Sequence, residues 1–276
     1  MRRLHIAVIF IILALTTHAA GNMRAPLIVT FMSSSALTKS TGTVLSERLT
    51  FDCDAPVTAA NSKNETIDLL MRYARITASY TIFVERDEEI STSFILADNL
   101  PVTIILNGKN IGTSDSRPIS DVPKMKRSWH TLDKSLYESS FKAKLGKGIN
   151  ELTITYRQPM SFSENHYGYF TTSTYITSFS YEMWPLREWT LADNFAVELN
   201  VMMSDDTGFT KIFFGSDYAV RISGEQNHKE GEAPVRREIT GTAIPSPENM
   251  LMRKAMLDKN FPDILFVQTG LKGDLK

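Results

Sequence analysis

Few residues in this chain carry the chemistry from which enzymes are built. Its one cysteine, Cys53, sits in Phe51-Asp52-Cys53-Asp54. A reactive thiolate wants a cation or a helix N-terminus beside it. Two flanking carboxylates disfavour that form, so Cys53 is expected to be a structural thiol, with an intermolecular disulfide as the alternative. The histidines are His5, His18, His130, His166 and His228. None lies in His-Glu-x-x-His, the spacing that puts two imidazoles on one helix face around zinc. No Gly-x-Ser-x-Gly elbow and no phosphate-cradling glycine loop is found. Asp205-Asp206-Thr207-Gly208 offers hard oxygen ligands of the kind calcium prefers, yet Asp and Gly are equally what a tight turn uses. No catalytic residue, metal ligand or cofactor site is therefore assigned. A serine triad or carboxylate pair assembled from distant residues leaves no mark in spacing, which keeps a hydrolase as an alternative.

The segment from Phe162 to Trp189 stands out for aromatic residues interleaved with serine and threonine. Rings with a polar tip suit sugar stacking and protein contacts. Tyr167, Tyr169, Trp184 and Trp189 are the candidate partner-binding surface. Tyr175, Phe179 and Tyr181 share one strand parity and fit a core, and Trp184 and Trp189, flanking Pro185-Leu186, also suit a packed corner.

The N-terminus tells where such a surface would work. Arg2 and Arg3 precede an apolar run from Ile6 to Leu15, and Thr17-His18-Ala19 supplies small residues at the positions a signal peptidase reads. Residues 1–19 are thus expected to be a signal peptide, too short in its apolar part to span a bilayer, which takes about 20 residues. No second run of spanning length follows, so the mature chain is expected to be exported, periplasmic or extracellular, without a membrane span. Removing Arg2 and Arg3 from the 30 basic residues leaves 28 against 31 acids. That mildly acidic balance excludes the basic footprint of a general nucleic-acid binder. Asn64-Glu65-Thr66 fits a glycosylation sequon, which matters only in a host that glycosylates.

The elements that would position these residues read mostly as strands. Ile76, Ala78, Tyr80, Ile82 and Val84 alternate with Arg75, Thr77, Ser79 and Thr81, a period of two. Ile67, Leu69, Met71 and Tyr73 alternate on the opposite parity, so a bulge or bend is expected near Ala74. Asn107-Gly108 is the dipeptide best suited to positive φ in a hairpin. Leu152, Ile154 and Tyr156, then Phe195 to Val201, then Tyr218 to Ile222, repeat the alternation. Ser246 as a cap, Pro247 at the first turn and apolar residues four apart at Leu251/Ala255 and Met252/Met256 predict a short helix near the C-terminus. The fold class expected is all-β: one or two antiparallel β-sandwiches in series, divided near Pro159 into residues 20–159 and 160–276, with that helix in the second.

Some of these stretches resemble a known architecture. Ala78-Ser79-Tyr80-Thr81-Ile82, the strand through Phe94 and Leu96, the turn Asn107-Gly108-Lys109 and the run from Leu145 to Tyr156 are similar to the N-terminal β-sandwich of M1-type aminopeptidases. With Tyr181 to Trp189 they also resemble exported bacterial β-sandwich proteins of unknown function. The likeness covers about residues 65–200, and the catalytic helix of the aminopeptidases is missing. What it implies is a scaffold and not an activity. The leading expectation is an exported, non-enzymatic protein that binds a protein or glycan partner. The alternatives are a hydrolase and an assembly subunit that pairs through an edge strand.

Overall fold

In the computed structural model of the chain, residues 19–20, 27–28, 38–54, 72–96, 99–112, 116–118, 137–164, 175–204, 218–226, 235–244 and 250–275 are described. Their strands are β1 (Ala19–Ala20), β2 (Leu27–Ile28), β3 (Thr38–Lys39), β4 (Thr43–Asp54), β5 (Arg72–Val84) and β6 (Glu88–Leu96). Then come β7 (Val102–Leu106), β8 (Lys109–Asn110), β9 (Ser116–Pro118), β10 (Tyr137–Leu145), β11 (Gly148–Glu164) and β12 (Tyr175–Glu182). The last are β13 (Thr190–Ser204), β14 (Tyr218–Gln226), β15 (Val235–Glu238), β16 (Thr242–Ile244), β17 (Met250–Asp258) and β18 (Ile264–Leu271). One 3-10 turn, Trp184–Glu188, joins β12 to β13.

Alternation decides most of these strands, as the sequence leads one to expect. In β5, Ala74, Ile76, Ala78, Tyr80, Ile82 and Val84 are buried while the residues between them are exposed or half-buried. Asn107 at φ 48° and Gly108 at φ 78° turn β7 into β8, the positive-φ pair of a two-residue hairpin. The large sheet runs β15-β14-β18-β12-β11-β5-β4-β13-β17-β16, with β7 also on β11, β8 on β7 and β1 on β12. A smaller sheet runs β3-β2-β6-β10-β9.

Twisted sheets of this size curl. Phe51 of β4 meets Phe179 and Tyr181 of β12 edge-on, at ring-centroid distances of 5.0 and 5.4 Å. Yet β5 and β11 lie between those strands in hydrogen-bond order. The sheet therefore folds its inner face upon itself, and Arg253 of β17 reaches across to donate to the Val220 carbonyl of β14 at 2.7 Å. The smaller sheet adds Ile90, Phe94, Phe141 and Leu145 to the same apolar core, with Phe94 against Tyr156 at 5.5 Å. Pro159 stands inside β11, opposite Tyr73 of β5.

Two expectations are corrected. The C-terminal helix is not formed: Met250–Asp258 is strand β17, paired with β13, and no α-helix occurs among the described residues. Leu251, Ala255 and Leu257 face the core at strand parity. Arg253 occupies the position between them and so hides the period of two. Residues 245–249, with the expected cap, lie outside the described residues. A bulge at Ala74 is not seen either, the register β5–β11 being unbroken from Arg72 on; Ile67, Leu69 and Met71, on which the rest of that expectation stands, lie outside the described residues. The extra residue falls instead between Val44 and Ser46 of β4, and a second irregularity lies between Leu191 and Ala196 of β13.

Candidate functional site

Trp184 and Trp189 of the candidate aromatic surface are in the interior, 2% and 4% exposed. Trp184 opens the 3-10 turn with Pro185 next in its first turn, and Trp184, Pro185 and Leu186 are all buried there, which is the packed corner. As the chain stands, these two rings offer a partner almost no area. Tyr167 and Tyr169 lie outside the described residues, as do His130, His166, His228 and Asp205 to Gly208. Cys53 is fully buried, opposite Ala74 and Met203. Among the described residues no group of three or more His, Cys, Asp or Glu side chains is arranged to hold a metal ion.

Around that corner the sheet gathers charge that the sequence does not advertise. Glu182 of β12 and Glu225 of β14 both stand opposite Ile264 of the intervening β18, so all three share a face. They are 1% and 3% exposed. Burial pushes the Glu182 carboxyl well above the usual carboxylate range; the negative charges of Asp263 and Glu225 push the same way, and the Trp184 indole opposes them. The nearby cations are committed elsewhere. Arg187 bonds Asp263 at 3.1 Å and the Phe261 carbonyl, lying over the Phe261 ring. Arg236 pairs with Glu225 at 3.5 Å and covers the Phe266 ring at 3.9 Å. The buried Glu88 shows what satisfaction looks like: the Ser40 and Thr41 hydroxyls both donate to it.

A second polar cluster sits inside the core. Glu47 of β4, 1% exposed, stands opposite Tyr80. Burial, then the Glu47 charge, holds the Tyr80 phenol well above the ordinary range, and the neighbouring Tyr181 hydroxyl opposes them. Tyr181 is raised likewise, first by burial and then by Tyr80. Sealed from water, this cluster specifies how the curled layers meet.

The solvent side of the sheet is different. Register places Asn200, Thr50, Thr77, Thr155 and Thr103 in one row across β13, β4, β5, β11 and β7. The next row is Glu198, Arg48, Ser79, Thr153 and Ile105. Thr77 and Thr155 hydroxyls lie 3.3 Å apart, Ser79 and Thr153 3.1 Å. Arg48 bonds Glu198 at 3.1 Å, and the Asn200 hydrogen bond, followed by Arg48, holds the Glu198 carboxyl below its usual range. On the other side of the threonine row, Arg75 and Arg157 face each other directly, with Asp52 opposite Arg75. Like charges in direct opposition cost stability. Period-two reading identifies the outward residues strand by strand, but only the register turns them into rows.

No family model matches the chain, and no curated protein sequence does. Among solved structures, a Legionella pneumophila protein provisionally described as nutrient-binding is similar at 10% identity and a TM-score of 0.47, over 91% of this chain and 71% of that one. Native leukotriene A4 hydrolase from Saccharomyces cerevisiae is similar at 9% identity and a TM-score of 0.38. That alignment covers 83% of this chain and 29% of the enzyme. The likeness to M1-type aminopeptidases is thus distant and partial, and at these scores neither neighbour carries a functional argument.

Proposed function

We propose that the chain is an exported binding protein whose partner is a glycan or a protein of the cell envelope or its surroundings. The observation that carries this reading is the solvent face of β13-β4-β5-β11-β7. Its threonine row offers hydroxyl donors and acceptors at the interstrand spacing of about 4.8 Å, bordered by Arg75 and Arg157. Hydroxyls half-exposed on a rigid sheet bind sugars or polar peptide surfaces at little ordering cost. Binding of the purified protein to peptidoglycan, to a neutral polysaccharide and to an acidic one tests it. Thr77→Val with Thr155→Val removes hydroxyls at constant shape, and Arg75→Ala with Arg157→Ala removes the cationic border. Tyr167→Ala with Tyr169→Ala probes the aromatic loop. The expected result is a loss of at least about tenfold, near 1.4 kcal/mol, in one of the first two pairs. Binding that all three pairs leave intact sinks the reading, as does no binding to any probe.

The edge-strand reading has one observation of its own. β15 ends the large sheet, all four of its residues are exposed and Val235 is 41% exposed. An open edge offers backbone groups to a partner strand. A strictly monomeric protein that retains no partner on purification removes this reading.

A further inference from the structure

The chain contains one Asn-Gly pair, Asn107-Gly108, and both residues are exposed at the tip of the β7–β8 hairpin. Glycine leaves its nitrogen unshielded, so such a pair is where an asparagine amide is lost most readily. The Gly108 nitrogen attacks Cγ of Asn107. The new N–Cγ bond closes a five-membered ring, the Cγ–Nδ2 bond breaks, and ammonia leaves with the proton that Gly108 gives up. Water then opens the ring. Its attack at the Cγ carbonyl leaves aspartate, and its attack at the main-chain carbonyl leaves isoaspartate, with the backbone routed through Cγ.

The hairpin is set against that reaction. Positive φ at both Asn107 and Gly108 marks a type I′ turn, in which ψ of the first residue is about 30°. In the ring the Gly108 nitrogen eclipses Cβ of Asn107, which takes ψ to about −120°, as in type II′. The Asn107–Gly108 peptide plane must therefore swing over before the ring can close. The side chain is held as well. The Glu151 N–H donates to its Oδ1 at 2.8 Å, and its Nδ2 donates to Asn150 Oδ1 at 3.0 Å. The N–H and carbonyl of Gly146 fix which way the Asn150 amide points. We propose that Asn107 is a deamidation site whose rate is governed by this lock on Asn150. Once it is modified, a carboxylate oxygen replaces the Nδ2 donor and faces Asn150 Oδ1. The change then releases the β7–β8 turn from the Gly146 turn irreversibly.

The test follows the purified full-length protein at mildly alkaline pH, with isoaspartate quantified by enzymatic methylation and located by peptide mass mapping. Two hydrogen bonds guard the amide, so the folded wild type is expected to react about thirtyfold more slowly than the urea-unfolded chain. Folded Asn150→Ala, which loses one of them, is expected to react about fivefold faster than the folded wild type. Asn150→Asp keeps an acceptor for Asn107 and is expected to stay near the wild-type rate. A folded wild type that reacts as fast as the unfolded chain overturns the proposal, and this comparison decides alone if the variants do not fold. Asn150→Ala at the wild-type rate overturns it too. Asn150→Asp as fast as Asn150→Ala does the same, because general loosening and not the missing acceptor then sets the rate. Isoaspartate forming first at another asparagine of the unfolded chain also counts against it decisively.

Discussion

Asn150→Ala should destabilise the protein by about 2–3 kcal/mol. Asn150 is 1% exposed and ties two turns together. Its Oδ1 accepts from Asn107 Nδ2 and from the Gly146 N–H, both at 3.0 Å, and its Nδ2 donates to the Gly146 carbonyl at 2.7 Å. A fourth contact, to the Gly148 carbonyl, is longer at 3.3 Å. At about 1 kcal/mol net for each of three well-formed bonds, the loss sums to about 3 kcal/mol. Water reaching the exposed Gly146 returns part of it. Asn107 completes the network by accepting from the Glu151 N–H at 2.8 Å, so Asn107→Gly, which tolerates the positive φ, is the natural second variant. Urea unfolding of the wild type, both single variants and the double variant gives the coupling, expected to exceed about 0.5 kcal/mol with an unchanged m-value. A cost below about 1 kcal/mol for Asn150→Ala, or strict additivity, refutes the claim that these turns are locked together. The lock matters because β7 and β11 leave it side by side, which sets Thr103 next to Thr155.

Gly224→Ala should cost about 1–3 kcal/mol in thermal or urea unfolding, because a Cβ there would lie 2.5 and 2.7 Å from the Pro262 ring. Trp184→Ala and Trp189→Ala should each cost about 3–5 kcal/mol, as for a core aromatic; a surface contact residue would change unfolding by less than about 0.5 kcal/mol. Glu182 has a raised folded-state pKa, first from burial. Its contribution is then fully present below the ordinary carboxylate range and is lost as pH rises through the raised value. Urea midpoints of the wild type relative to Glu182→Gln should therefore fall with rising pH, and a flat difference refutes this. Glu198 works the other way, its pKa being lowered. Its contribution is present above the ordinary range and lost as pH falls through the lowered value. With a side chain 32% exposed, the gap between wild type and Glu198→Gln should close on acidification by no more than about 0.5 kcal/mol.

Where a strand has one wet face and one dry face, its alternation was legible: β5, β13 and the first half of β11 follow from β-branched and aromatic residues at every second position. β17 was not, because Arg253 faces inward to bond the backbone of β14, and a charged residue at a core parity reads as a break. Leu251/Ala255 and Met252/Met256 then fit a helix better than a strand. The buried corner was illegible for a related reason. Ser178, Ser180 and Glu182 have the pattern of an outward face, and nothing local says that Glu182 is 1% exposed. Trp184 and Trp189 carry the signature of a sticky surface and of a packed turn equally, and in the fold both are buried at the two ends of that turn. The hydroxyl rows needed the register of five strands, which arises from pairing between residues far apart in the chain.

That distance has a kinetic side. β4 lies between β5 and β13, and its pairing with β13 is parallel; the Arg48–Glu198 ion pair across it joins residues 150 positions apart. Closing so long a loop loses chain entropy before any contact rewards it. During synthesis β4 and β5 appear early, but β4 has a bare edge until β13 has been made. The nascent chain therefore carries an unfinished sheet through most of its elongation, and its centre is completed among the last parts rather than the first. Folding of this protein should be slow for its size, and its early strands exposed to mispairing while they wait.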